Sequence, residues 1–306
     1  MTMSCLMMHW LERLNHAGIF PQQSRLMEFG PQDVDVPRPM LEAAARRMYP
    51  GEDVSARIDK IYDGWGGPLW TCQSDFYSVF GARSYHSTDP FDPRAEFRYD
   101  LNAYFIHFHR YDIVINFGTA EHVFNIANVF RTAYRLLKPD GVFLNVLPAY
   151  GDIDHGFYNV HPILYRGLAA HSGFELCDFQ YIDDIAARTV QAASGGTAPY
   201  DFDALPIRLA DLDDEAAFKR KVYERFLANA ERRTDPIAPQ WLENLMVFDY
   251  CYVALRKVAT SAFRSPYQFL QEASLRAGQP SALRTNFKGF IESWSRHRRP
   301  PPIKPE

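Results

Sequence analysis

Two apolar strands joined by one amphipathic helix constrain this chain more than any other feature. Tyr111–Phe117 (YDIVINF) is apolar, β-branched and bounded by Gly118, the pattern of a strand buried on both faces. Beyond it, Val123, Ile126, Ala127, Phe130, Ala133, Tyr134 and Leu137 recur at helical spacing and form one apolar stripe. Thr119 is placed to cap that helix, with Glu121 in its first turn. Lys138-Pro139-Asp140-Gly141 turns the chain, and Gly141–Leu147 (GVFLNVL) is the next strand, ended by Pro148. Strand, helix and strand in this order call for a parallel sheet covered by helices on both faces.

The same rhythm extends in both directions. Arg25–Phe29 and Arg83–Thr88 read as earlier strands, Pro162–His171 as a helix, and Phe174–Tyr181 and Leu245–Arg256 as later strands. The expected class is therefore α/β, a doubly wound, mostly parallel sheet with helical insertions. Its core spans 1–182 plus 244–257, interrupted by a Pro- and Gly-punctuated insertion at 34–82. Residues 183–243 form a second insertion, with a helix expected over Asp211–Arg233 and Ala216, Ala217, Val222, Phe226 and Leu227 turned inward. That segment is expected either to cover the substrate side as a lid or to form a homodimer. A helical extension with a Pro-rich, basic tail is expected over 258–306.

Composition removes several function classes. A net charge of -4 argues against nucleic acid as the main partner, because phosphate binding needs a basic face. The four cysteines show no CxxC spacing and read as reduced thiols. No apolar run approaches the ~18 residues of a membrane helix. The start, MTMSCLMMHWLERL, lacks the basic opening of a signal peptide. A cytoplasmic protein with no membrane partner is expected.

In doubly wound folds ligands bind beyond the carboxyl ends of the strands. The residues there are Glu28-Phe29-Gly30-Pro31-Gln32-Asp33, then Asp89, then Tyr99-Asp100-Leu101-Asn102, then Asn116-Phe117-Gly118-Thr119-Ala120-Glu121-His122, then Pro148-Ala149-Tyr150. That order, with LLKPDGVFLNV before the fifth strand, resembles the class I S-adenosylmethionine-dependent methyltransferases. The likeness covers Arg25–Tyr181 plus Leu245–Arg256, and INFGTAEHVFNIANVF with DHGFYN looks like a bacterial small-molecule subgroup. It implies a seven-stranded Rossmann-like sheet whose last strand is antiparallel, and S-adenosyl-L-methionine as co-substrate. It also implies that Glu28 meets the cofactor's amine and that Gly30 and Pro31 let the backbone approach the ligand. Asp89 would take the ribose hydroxyls, Asp100 and Leu101 the adenine edge, and Asn116, Phe117 and Gly118 the methionine portion. The loop after the first strand holds one glycine, where the family often has two or three.

The implied acceptor is a small molecule, a sugar or natural-product intermediate, approached from the loops after strands four and five. There His155, His122 and Glu121 are candidate proton acceptors, since histidine titrates near neutral pH. His155 leads because it lies in a Gly-flanked polar loop, and His122 follows at a helix start that would keep it neutral. Tyr150, Tyr158, Asn159 and His161 are candidate substrate contacts. Asp152, Asp154, His155 and His161 are of metal-ligand type, as are His107 and His109, but no resident metal is expected from their spacing. A nicotinamide-dependent dehydrogenase would need G-x-G-x-x-G, which is missing here. Two other readings stay open: a non-catalytic partner subunit on the same sheet, and a methyltransferase acting on nucleic acid.

Overall fold

A computed structural model describes residues 2–62, 73–104, 110–152, 155–183, 196–205, 207, 211, 214–232 and 248–266. The chain divides into two units, Met1–Ser265 and Pro266–Glu306. The second lies almost wholly outside the described residues, as do the basic tail, His107, His109, Asp154 and the side chain of Phe226.

The strands are β1 (Thr2–Met3), β2 (Ser24–Phe29), β3 (Asp33–Val34), β4 (Ala82–Thr88), β5 (Tyr111–Phe117), β6 (Leu137–Gly151), β7 (Phe174–Ile182) and β8 (Phe248–Lys257). β1 and β3 form a small parallel pair, and the other six make one sheet in the order β4-β2-β5-β6-β8-β7. β4, β2, β5 and β6 are parallel to one another, whereas β8 is antiparallel to both β6 and β7. The α/β class and the antiparallel late strand match the expectation. Six sheet strands are described in place of the seven implied.

Alternation along each strand builds two cores. Leu26, Ile113, Ile115, Phe117, Leu144 and Val146 face one layer, with helices α1 (Cys5–His16), α2 (Arg38–Met48), α3 (Ser55–Tyr62) and α4 (Gln73–Val79). Met27, Phe29, Val114, Phe143 and Leu147 face the other, with α5 (Ile126–Leu136) and α6 (Ile163–His171). Ser4 caps α1 by accepting from Met7 N, and the buried Trp10 of that helix donates from Nε1 to Asp178 Oδ2 at 2.7 Å. Arg47 of α2 grips Glu12 of α1 through both carboxylate oxygens, at 2.5 and 2.9 Å.

Three sequence expectations change here. Thr119 does not cap a long helix: its side chain makes no cap bond, Ala120–His122 is a single 3-10 turn, and α5 starts only at Ile126. The cause lies in Asn125, whose N–H and side chain bond to Asn102 and hold the chain out of helix geometry. Pro148 does not end its strand. β6 runs on to Gly151, because Pro148 sits beside a register shift where no ladder N–H is required. In the later insertion, helix α7 (Glu215–Arg232) packs Phe218 and Val222 against the second core, while Ala216 and Leu227 are exposed. Phe202 and Leu205 enter the first core, so this insertion reaches both layers. Residues 258–265 also pack on the core: Tyr134 Oη donates to the carbonyls of Ala259 and Ser261, both at 2.9 Å.

Candidate active site

The strand order reverses between β2 and β5, since β4 lies outside β2 and the chain then returns to the other side. Such switch points leave a crevice at the strand ends. Here it is a cavity of about 580 Å³ floored by Gly30 and Gly118. Both glycines are left-handed, with φ of +70° and +67°, a region that other residues enter only with strain. The two loops touch. Thr119 Oγ1 donates to Phe29 O at 2.6 Å, and a Cβ on Gly30 would sit 2.5 Å from that same Oγ1.

Pro31, Asp89, Asp100 and Leu101 line the cavity together with these glycines. Asp89 Oδ1 accepts from the N–H groups of Phe91 and Asp92, both at 2.8 Å. Its Oδ2 makes no hydrogen bond among the described residues, so the side chain both shapes a turn and presents an acceptor. Asp100 Oδ1 is occupied by Asn102, at 2.8 and 2.9 Å.

Three expected cofactor residues do not reach the cavity. Glu28 is fully buried and walled in: Tyr77 and Tyr85 donate their hydroxyls to its two oxygens at 2.5 Å, and Gln32 N donates at 3.4 Å. Burial pushes its carboxyl up to about 7 against those three bonds. Its structural effect is on the loop, because Gln32 Nε2 in turn donates to Gly30 O at 2.8 Å. Asn116 is also buried. Its Oδ1 accepts from Ala120 N at 2.9 Å and its Nδ2 donates to Asn145 Oδ1 at 2.6 Å, which fixes the turn through Gly118. Phe117 points into the first core, with its ring 6.1 Å from that of Trp10.

On the far side of the cavity the structure brings together all three candidate proton acceptors. His122 lines the cavity, and its ring centroid lies 4.7 Å from that of His155. Glu121 Oε1 is 3.9 Å from His122 Nε2 and 3.8 Å from His155 Nε2. The Glu121 side chain is 0% exposed, and neither carboxylate oxygen has a hydrogen-bond partner. Burial raises its carboxyl to about 7, with Asp152 adding to the effect. Burial lowers His122, and the neighbouring His155 lowers it further. A helix dipole cannot be the cause, because the helix there is one 3-10 turn.

The loop after β6 is clamped onto this cluster. Phe157 N donates to Glu121 O at 2.8 Å, and a Cβ on Gly156 would come within 3.0 Å of Glu121 Cγ. Asp152, held in the left-handed region at φ +50°, accepts from Tyr250 Oη at 2.7 Å. Of the candidate substrate contacts, Tyr158 donates to Phe124 O at 2.7 Å and Asn159 to Gly151 O at 3.0 Å. Tyr150 and His161 are exposed, and none of these four lines the cavity.

Residues 2–183 match a family described as the methyltransferase domain. The chain belongs to the class I S-adenosylmethionine-dependent methyltransferases. No curated protein sequence matches it. Among solved structures, it resembles an O-methyltransferase from a trans-AT PKS multienzyme of Brevibacillus brevis in complex with S-adenosyl-L-homocysteine. That match has 13% identity, covers 80% of this chain and 71% of the other, and has a TM-score of 0.36. It also resembles phosphoethanolamine N-methyltransferase 2 of Haemonchus contortus in complex with S-adenosyl-L-methionine, at 15% identity, 81% and 53% coverage and a TM-score of 0.36.

The methyltransferase's cavity has the right character for its co-substrate, S-adenosylmethionine. Asp33, Asp89, Asp92 and Asp100 line it against one guanidinium, that of Arg94. Arg94 is already paired with Asp33 and Asp92, which leaves Asp89 and Asp100 to favour a cationic ligand. No sequence motif marks Arg94, which also donates to Pro31 O at 3.2 Å and steadies the glycine loop. Thr119 was visible as a polar residue after a strand, but its partner is 90 residues earlier in the methyltransferase and no local pattern reveals it.

Proposed function

We propose that this methyltransferase transfers a methyl group to a small-molecule acceptor seated where Glu121, His122 and His155 converge. The observation that carries this reading is that His122 belongs both to the cavity lining and to the cluster around a buried, unbonded carboxylate. When bound, S-adenosylmethionine supplies an electrophilic methyl group on a sulfonium. Gly30, Pro31 and Gly118 would let it approach closely, Asp89 would accept from its ribose hydroxyls, and Asp100 with the Leu101 backbone would meet the adenine edge. The protein's other task is to orient the acceptor and manage its proton. Glu121, His122 and His155 are the groups placed to do so.

Phe124 and Phe157 stand exposed beside the cluster with ring centroids 6.1 Å apart, and Tyr158 is hydrogen-bonded to Phe124 O. This aromatic shelf, with Tyr150, Asn159 and His161 near it in sequence, suits the ring face of a sugar or a natural-product intermediate.

Calorimetry with S-adenosylhomocysteine tests the cofactor half. Asp89→Ala should weaken binding by about 1–3 kcal/mol, the cost of leaving ligand hydroxyls unpaired. The acceptor half is tested with His122→Ala and His155→Ala, whose cofactor affinity should stay near wild type while turnover on the true acceptor falls. Wild-type turnover in both would refute the acceptor assignment. No heat with S-adenosylhomocysteine would refute the cofactor one.

A further inference from the structure

We infer that Glu121, His122 and His155 form a binding site for a divalent transition-metal ion at the acceptor end of the cavity. The three side chains each offer one ligand atom, and these atoms all lie within 4.8 Å of one another. Proximity alone is common among polar side chains. The second observation is the state of Glu121: the side chain is fully buried, and both oxygens lack any hydrogen bond. An ionised carboxylate out of water is strongly unfavourable unless a cation or donors face it.

The imidazoles do not supply that compensation directly. Their Nε2 atoms stand 3.8 and 3.9 Å from Glu121 Oε1, beyond hydrogen-bonding range. The spacing is that of ligands around a gap. Donors about 2.1 Å from a shared cation sit roughly 3–3.5 Å apart, so the cluster needs only a small contraction. The histidines can provide it, because their side chains are 44% and 35% exposed, whereas the glutamate is packed. The backbone around the cluster is already fixed. Phe157 N bonds to Glu121 O, His155 N bonds to Asp152 O at 3.3 Å, and Gly156 leaves room against Glu121. Asp152 adds a second carboxylate, 3.8 Å from His155 Nε2 and held by Tyr250.

Two imidazole nitrogens and one carboxylate oxygen favour zinc, manganese, iron or cobalt over calcium and magnesium, which prefer all-oxygen sites. Three protein ligands leave coordination positions open, as in catalytic centres. Since His122 also borders the cavity, a cation held there would be close enough to the acceptor site to act on it as a Lewis acid. With a cation bound, the three side chains serve as ligands rather than as proton acceptors. The use of the cation rests on the acceptor site proposed above, whereas its binding does not.

The test uses the full chain, freed of metal by dialysis against EDTA and then titrated calorimetrically with zinc or manganese. Cobalt is followed by its visible absorption. S-adenosylhomocysteine is titrated in parallel. Saturable uptake of one ion per chain is expected, weakened at least about 100-fold in each of His122→Ala, His155→Ala and Glu121→Gln. The two histidine variants should retain their circular dichroism, since both rings are partly exposed. Absence of saturable uptake of all three ions, or unchanged affinity in both histidine variants, overturns the metal site. Uptake of the ion without any binding of S-adenosylhomocysteine would support the metal site and refute the proposed transferase reading. Cofactor binding without ion uptake would do the reverse.

Discussion

Gly30 holds φ at +70° under the hydroxyl of Thr119, so any side chain there meets both backbone strain and a steric obstacle. Gly30→Ala should cost about 1–2 kcal/mol from the backbone alone, and more from the contact. Adding Thr119→Ala should relieve only the contact, so the double variant should recover part of the loss in a urea melt. Glu28 makes a different prediction. Burial raises its carboxyl from about 4.5 to about 7 in the fold, so the folded state holds its proton more tightly than the unfolded chain. The resulting stabilisation is complete below pH ~4.5 and is lost as pH rises through ~7, by up to about 3 kcal/mol. Glu28→Gln should remove this component, so the stability gap between variant and wild type should change across that window. A constant gap in urea melts at several pH values would refute the assignment. The sequence showed Glu28 to be at a strand end. It could not show Tyr77 and Tyr85 closing over it, because both tyrosines come from elements with no motif of their own. The same holds for His155, which reaches Glu121 only through the fold.

At the scale of elements, strands were legible and their ends were not. Tyr111–Phe117 is found within its expected bounds, since a β-branched apolar run has one good environment, the sheet interior. The helix after it begins late because Asn125 is tied to Asn102, a contact that no periodicity carries. Of its expected apolar stripe, Phe130, Ala133 and Tyr134 are buried, whereas Ala127 is exposed and Leu137 already belongs to β6, which takes in the expected Lys138–Asp140 turn. Helix α7 was legible as a helix, but which face it buries was not. Its attachment is Phe218, edge-on to Tyr181 with centroids 5.9 Å apart. Phe218→Ala should cost at least about 1 kcal/mol, the worth of such an aromatic pair beyond the apolar area it buries. Hydrogen exchange should speed up in Glu215–Arg232 while β5 and β6 stay protected. Uniform acceleration across the sheet would show instead that α7 is integral to the core.

For the whole molecule, the parallel order and the antiparallel late strand could be read from strand–helix alternation, because crossover rules leave few alternatives. The site could be read only as a location. The cavity joins residues from four separate loops, and its polar partners are set by tertiary contacts. A ligand that bridges the β2 and β5 loops, as proposed, should stabilise the fold as a unit. S-adenosylhomocysteine at 100 times its dissociation constant should add about 2.7 kcal/mol to unfolding free energy. A thermal-shift series checks this, and Asp89→Ala should require a correspondingly higher ligand concentration for the same shift.

The position of β8 bears on how the protein is made. The strand lies between β6 and β7 yet is the last of the three in sequence, and the methyltransferase-domain match ends at residue 183, before it. During synthesis β6 can pair with β5 on one side but keeps its other edge open, and β7 has no native partner at all, until Phe248–Lys257 has followed. Unpaired edges invite pairing with other chains. A messenger or protein cut ahead of residue 248 therefore yields a sheet that lacks the strand joining β6 to β7, and it should aggregate rather than form a smaller working enzyme.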